Sequence, residues 1–304
     1  MAFVVPKIDQ ILLFKGNQET NQPVENIKFT GINFRYSAAP RGINVDKQYI
    51  DDNTKAIFPW LDLTTGFSDI QTSVECGQAI LLQGANHITF SDCSFSLLGN
   101  YAIRIDKYSN FNRIADCSFY DLGGGGIVIG YNDMDPVTAG VPPLASPSNN
   151  VVESCSIHDL GIIYPGSVAI GIMNATGSNI SCNAIYNGSY TGISCGFTWG
   201  YGKSYTFGDT IQNNDIHNVM TLLADGGGIY TLGVQPQTVI TGNTIHDVYR
   251  SRDATGSQNN GIFFDDGSSQ MFVDKNVIYN IQNQKMRYNQ TTSSNMKWGT
   301  RTVK

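Results

Sequence analysis

Three aspartates carry residue types and spacing suited to chemistry: Asp225 in "LLADGGGIYTLG", and the adjacent Asp265 and Asp266 in "GIFFDDGSS". Carboxyl groups held a few ångströms apart can divide acid–base work, one protonating a leaving oxygen while the other activates water or attacks carbon. Each also has a plain structural reading. Asp225 could cap a turn by accepting glycine amides, and Asp265 with Asp266 could form an Asx-type turn before Gly267. Tyr230 follows Asp225 on the same segment, and "GFTWGYGKSYTFGD" offers Phe197, Trp199, Tyr201 and Tyr205 as rings for stacking on a ligand or as a lid over the core. Three histidines, His158, His217 and His246, complete the candidate set.

The elements that must position these residues come from an internal repeat. The segments "ITFSDCSFS", "NRIADCSFYDL", "NVVESCSIHDL", "SNISCNAIYNG", "DTIQNNDIHNV", "TVITGNTIHDV" and "MFVDKNVIYNI" superpose without gaps. One apolar column reads Phe90, Ile114, Val152, Ile180, Ile211, Ile240 and Val273. A second, five residues on, reads Phe95, Phe119, Ile157, Ile185, Ile216, Ile245 and Ile278, with Cys93, Cys117, Cys155, Asn183, Asn214, Asn243 and Asn276 between them. "IKFTGINFR" adds an N-terminal copy. A further strand precedes each repeat and leads with Ile80, Ile103, Ile127, Ile170, Ile193, Ile229 or Ile262; it lies 10 or 11 residues ahead in five copies, and 25 and 18 ahead in the copies at Ile127 and Ile193, which implies two loops.

Short strands, small turns and no helical periodicity, repeated at irregular length, predict the stacked coils of a parallel β-helix. Like residues then lie above one another at ~4.8 Å, so an Asn column can bond along itself and the cysteines can fill space as reduced core thiols. The histidines share a column with Tyr120, Tyr186 and Tyr279 immediately after the buried residue, an exterior stacking position. His246 keeps the largest functional share because its coil also carries Asp225. Asp121, Asp159, Asn187, Asn218, Asp247 and Asn280 follow that column as turn formers.

Register sets a geometric condition on the aspartates. Asp225 precedes Ile229 by four residues and Asp265 follows Ile262 by three, so an extended path separates them by roughly 20 Å at ~3.3 Å per residue. Only a folded turn at Gly226–Gly228 would bring them within the ~5–9.5 Å of paired glycosidic carboxyls.

The succession "NDIHNV", "DGGGIYTLG", "TGNTIHDV", "NGIFFDDGSS" and "DKNVIYNI" resembles the right-handed parallel β-helix proteins of the pectin lyase-like superfamily, particularly those related to glycoside hydrolase family 141, whose members include fucosidases and xylanases acting on plant cell-wall glycans. The resemblance covers roughly residues 24–281. It implies an all-β, right-handed single-stranded solenoid that hydrolyses O-glycosyl bonds of a xylan- or fucose-containing polysaccharide or oligosaccharide. Catalysis would fall to Asp225 with Asp265 or Asp266, and Tyr230, His246 and Trp199 would line the substrate, with no metal or cofactor. It also implies an extracellular protein, although "MAFVVPKIDQILLFKG" does not read as a signal peptide.

Two other classes stay open. A lyase of the same fold needs an Arg or Lys base near a carboxylate cluster, and the repeat's outer positions offer Arg104 and Lys107 beside Asp106, far along the stack from Asp265. The His-Gly and Arg-Ile-Lys elements of a polygalacturonase are missing. A non-catalytic glycan-binding β-helix would use the aromatic loop alone.

Composition sets the outer bounds. The 304 residues are 41% hydrophobic and 14% charged, enough for a sizeable core. A net charge of −6 argues against a nucleic-acid surface, and no apolar run reaches the ~18 residues of a membrane span. Six cysteines show no zinc-type spacing. Four glycosylation tripeptides, at Asn174, Asn179, Asn187 and Asn289, decide nothing. The expected organisation is a cap segment and first coil with an inserted loop over 1–75, repeats over 76–281, and a tail, truncated or disordered, over 282–304.

Overall fold

A computed structural model describes residues 4–39, 76–132, 135–252, 254 and 256–299. Each repeat column becomes a ladder of parallel strands, and the chain winds through three sheets once per coil. The first sheet runs Leu12–Lys15, Gln78–Gln83, Tyr101–Ile105, Ile127–Gly130, Ile170–Met173, Ile193–Cys195, Gly227–Thr231, Asn260–Phe264 and Met286–Tyr288. The second sheet holds the column from Phe90 to Val273, and the third the column from Phe95 to Ile278. All strand pairings in these sheets are parallel and in the register that the sequence columns predict; Ile229, for example, pairs with Ile262. The fold is a parallel β-helix, as expected.

The core follows from the stacking. The seven leading isoleucines are 0% exposed, and so are Phe95, Phe119, Ile157, Ile185, Ile216, Ile245 and Ile278. At one corner, amides replace thiols. Asn214 Nδ2 donates to Asn243 Oδ1 at 2.9 Å and to the Ile180 carbonyl at 3.0 Å, while its own Oδ1 accepts from the Asn183 amide nitrogens of backbone and side chain. Asn243 and Asn276 continue the pattern. Each buried amide therefore has partners on both sides, which removes the penalty of burying it. The ladder starts at Cys155, whose backbone N–H donates to Asn183 Oδ1. Cys93, Cys117 and Cys155 are free and buried, as expected of core thiols.

The turn formers Asp121, Asp159, Asn187, Asn218, Asp247 and Asn280 all adopt positive φ, between 49° and 54°. Short polar side chains tolerate that left-handed conformation. Some also bond between coils, Asn187 to Asp159 and Asn280 to Asp247.

The expected boundaries shift at both ends. Leu12–Lys15, Lys28–Thr30 and Asn33–Ser37 add a strand to each sheet, so residues before 40 form a full coil; the inserted loop expected within 1–75 lies outside the described residues. At the other end, Met286–Tyr288 pairs with Asn260–Phe264, and Lys297–Trp298 pairs with Phe272–Asp274. The expectation of a tail from 282 is corrected accordingly. Met286, Tyr288 and Trp298 stand in register with Ile262, Phe264 and Val273, so the repeat pattern fades while the pairing continues. Among the described residues, no helix is long and apolar enough to cross a membrane.

Candidate functional site

The outer face of the first sheet positions the candidate residues. In Asn260–Phe264 the side chains of Ile262 and Phe264 point inward, and Phe263 and then Asp265 face outward. Asp265 is only 4% exposed, and its carboxylate is held from both sides. The Tyr230 hydroxyl donates to Oδ2 at 2.5 Å, and Asn289 Nδ2 donates to Oδ1 at 2.7 Å. These bonds link three consecutive strands. Tyr230 stands on the preceding strand, and the backbone N–H of Asn289, just past the following one, donates to the Phe264 carbonyl.

Burial pushes the Tyr230 phenol well above its ordinary range. The Asp265 charge and hydrogen bond add to this, and the charges of Tyr190 and Asp225 add a little more. The phenol is therefore a fixed, protonated donor to Asp265.

Asp225 enters by a route the sequence did not suggest. Its own φ is 61°, whereas Gly226, Gly227 and Gly228 keep negative or extended φ, and the strand begins at Gly227. The expected folded glycine turn is thus corrected. These glycines answer a steric demand instead: a Cβ on Gly226 would lie 2.6 Å from Thr191 Oγ1, one on Gly227 2.8 Å from the Asn260 carbonyl, and one on Gly228 would overlap Ile245. Left-handed Asp225 makes the bend and donates its N–H to the Ser257 carbonyl at 3.1 Å. Its carboxylate accepts from Ser257 Oγ and, at 3.3 Å, from Arg287 Nη1.

Arg287 begins a path of contacts from Asp225 towards Asp265. Its guanidinium lies over the Phe263 ring at 4.4 Å, and Phe263 meets the Tyr230 ring edge to face at 5.4 Å. The contacts run Asp225, Arg287, Phe263, Tyr230, Asp265. Asp225 and Asp265 are thus linked through one cation, Arg287, and two rings, Phe263 and Tyr230. Tyr190 also donates its hydroxyl to the Asp225 carbonyl at 3.2 Å.

The other expected site residues separate. Asp266 accepts the Gly233 N–H on its backbone carbonyl at 2.9 Å and lies beside Gly200. Gly267, at φ 75°, has no room for a Cβ because the Gly200 carbonyl sits against it. The aromatic loop therefore abuts the Asp265–Gly267 turn, with Trp199 53% exposed on it. His246 is not brought to this group. It lies on the third sheet, its ring stacked between His217 and Tyr279 at 4.8 Å from each. A shared coil did not mean a shared face. Of the tripeptide asparagines, Asn174 is fully buried and Asn289 is committed to Asp265.

Sequence reasoning missed Arg287, Asn289, Ser257 and Tyr190. The first two stand beyond the last recognised repeat. Their only signal is the alternation of Met286 and Tyr288 about Arg287, 24 residues after Ile262.

A family model described as "Right handed beta helix region" matches residues 11–141. No curated protein sequence matches the chain. Among solved structures, one described as "Glycoside hydrolase" superposes with a TM-score of 0.73 at 21% identity, over 94% of this chain and 51% of that one. PfbA, a surface adhesin of Streptococcus pneumoniae, gives 0.49 at 13% identity, over 90% and 69%. The pectate lyase Pel9A gives 0.46 at 12%, over 97% and 66%. The family model and the superposition at 0.73, with the parallel ladders, establish a right-handed parallel β-helix. The chain spans about half the length of the glycoside hydrolase it matches.

Proposed function

We propose that this β-helix hydrolyses O-glycosidic bonds of a neutral, plant-type glycan containing xylose or fucose, outside the cell, with Asp265 and Asp225 as its working carboxyls. The observation that carries the reading is the Asp265 carboxylate, almost fully buried on an otherwise structural face and held by Tyr230 and Asn289. The stack does not need a charge there on every coil: the same outward position elsewhere is Gln83, Asp106, Gly130, Met173, Gly196 or Leu232, of which only Asp106 is a carboxylate. Asp265 is preferred to Asp266 because it shares the face of Tyr230.

In this mechanism Asp265, fixed by two donors, acts on the anomeric carbon directly or through water. Asp225, 31% exposed at its side chain, delivers the proton to the leaving oxygen, which requires the substrate to draw it away from Arg287. Trp199 offers an exposed ring for a sugar face at the rim. His246 has no part in it. The resemblance to family 141 supports the substrate class, and a solved structure described as a glycoside hydrolase shares the fold.

One observation favours a second reading. Arg287 brings a cation to Asp225, which the outer repeat positions did not provide, and a cation beside carboxylates and a phenol suits β-elimination of a uronate. The two reactions differ in product. Hydrolysis releases reducing ends without ultraviolet absorbance, and elimination releases an unsaturated, absorbing end. On xylan- or fucose-containing oligosaccharides, Asp265→Asn and Asp225→Asn are each expected to lower turnover by about 10²–10⁴-fold with binding retained. Undiminished turnover in Asp265→Asn removes it from the mechanism, and an absorbing product replaces the hydrolytic reading with the second.

A further inference from the structure

The ring column on the third sheet contains a second group of chemical side chains, separate from the carboxylates of the first sheet. Tyr120, His158, Tyr186, His217, His246 and Tyr279 stack in succession at centroid separations of 4.5–5.8 Å. At one place only in this column do two imidazoles stand next to each other: His217 pairs in register with His246. The residue two positions earlier on the same face is Ser118, Ser156, Ala184, Asp215, Thr244 or Val277 in the six coils. The single carboxylate in that series, Asp215, falls on the coil of His217. Donor atoms of Asp215, His217 and His246 all lie within 4.8 Å of one another, and Asp215 Oδ1 is 3.3 Å from His246 Nε2.

We propose that Asp215, His217 and His246 form a binding site for a divalent transition-metal ion of the zinc type. Two imidazole nitrogens and one carboxylate oxygen are a zinc donor set, with bonds of about 2.0–2.2 Å. Tetrahedral geometry at those lengths puts donors about 3.4 Å apart, which the Asp215–His246 contact already meets; rotation of the His217 ring closes the rest.

The surroundings of His246 set its nitrogens in the required state. His246 Nδ1 is 2.6 Å from Asp247 Oδ2, and Asn280 holds the other oxygen of Asp247 at 3.1 Å. The carboxylate accepts Nδ1–H and leaves Nε2 with a lone pair directed at Asp215, an arrangement that repels unless a cation or proton lies between. A carboxylate behind a ligating histidine is the usual outer support of such a site. Asn218 Nδ2 donates to His217 Nδ1 at 3.2 Å, which puts that ring's proton on Nε2; turning the Asn218 amide over presents its oxygen to Nδ1 and frees Nε2 for the metal. His158 has a similar carboxylate, Asp159 at 2.7 Å, but its ring neighbours are tyrosines, so it serves as the internal control. Half-exposed Asp215 leaves the fourth position open to water.

The competing explanation is an imidazolium at His246 bridging Asp215 and Asp247 with no metal. The two are separated by titrating chelator-stripped, full-length protein with ZnCl₂ against a chromophoric chelator, and with CoCl₂ by visible absorption. One zinc per chain and the intense bands of four-coordinate cobalt are expected. His217→Ala and His246→Gln should each weaken zinc at least 10-fold, Asp247→Asn by about 10–100-fold, and His158→Ala not at all. Circular dichroism in chelator confirms that each variant is folded. Absence of stoichiometric binding by the native chain, or binding that survives in the folded His217→Ala/His246→Gln double variant, overturns the site.

Discussion

Asp209 gives the sharpest test of how the solenoid's interior is built. It is fully buried at the corner before the second sheet, in a column with Asn112, Asn150, Ser178 and Thr238. Oδ1 accepts the Ser178 N–H at 2.7 Å, and Oδ2 is buried without a hydrogen-bond partner. Burial raises its carboxyl from 3.8 to about 8, the Ser178 bonds only partly opposing it. The folded protein therefore carries a neutral acid at neutral pH where the unfolded chain carries an anion. With the folded value raised, the stabilising contribution is complete below about pH 4, falls by about 1.4 kcal/mol per pH unit up to about pH 8, and then levels. The total is about 6 kcal/mol, of which about 4 is lost by pH 7. Asp209→Asn keeps the shape and removes the ionisation. Its new amide has a model in the column, since Asn112 and Asn150 donate to the Ala85 and Ser109 carbonyls three residues before the preceding coil's equivalent position; the corresponding carbonyl for residue 209 is Ala175. Urea denaturation of both proteins from pH 4 to 9 is the assay. The curves should meet near pH 4 and diverge to a variant more stable by several kcal/mol at pH 8. Parallel curves would refute the buried neutral acid.

Other outcomes follow from the same geometry. Asn214→Ala strips partners from Asn183 and from the Ile180 carbonyl inside the stack, and should cost about 3 kcal/mol or more in urea denaturation. Thiol labelling of the native protein should modify exposed Cys182 first and leave Cys93, Cys117 and Cys155 untouched until denaturant is added; the Cys117 contact, then burial, keep the Cys155 thiol protonated. Tyr230→Phe removes a donor to a buried carboxylate and should lower kcat by about 10–100-fold with little change in KM, so an unchanged kcat would count against Asp265.

How much was legible in the sequence depended on which way a side chain faces. An inward residue meets its equivalents one coil above and one below, so stacking forces the same type into every copy; hence Ile229, Ile262, Asn214 and Cys117 could be placed by alignment alone. On the outer face of the first sheet the residue type changes from coil to coil, so no column marks it, unlike the exterior ring column of the third sheet. Asp265 was found because two adjacent carboxylates, Asp265 and Asp266, stand on one coil where stacking does not require them, but Arg287 was not, since Met286 and Tyr288 had already replaced the residues that mark a coil. The "DGGG" element was read by glycine's backbone freedom, while the structure uses its missing Cβ, a demand set by Thr191, Asn260 and Ile245 on other coils. His246 was drawn toward Asp225 by sequence distance, although one coil visits three faces.

The outward rows also explain why the candidate site depends on a strand with no candidate residue of its own facing inward. Arg287 and Asn289 flank Tyr288, and the strand Met286–Tyr288 is tied to the core through Met286 against Ile262 and Tyr288 stacked on Phe264 at 5.4 Å. It is the last described strand of the first sheet, so it has a neighbour on one side only. Met286→Ala removes one of its two anchors. Because Met286 is only partly buried, the cost to global stability should fall below the ~2–5 kcal/mol of a core deletion, yet the freed strand would loosen Arg287 on Asp225 and Asn289 on Asp265 together. Turnover should therefore fall more steeply than urea stability, with faster amide exchange confined to residues 284–290. A variant that loses stability but keeps full turnover would show that these two side chains do not support the carboxylates.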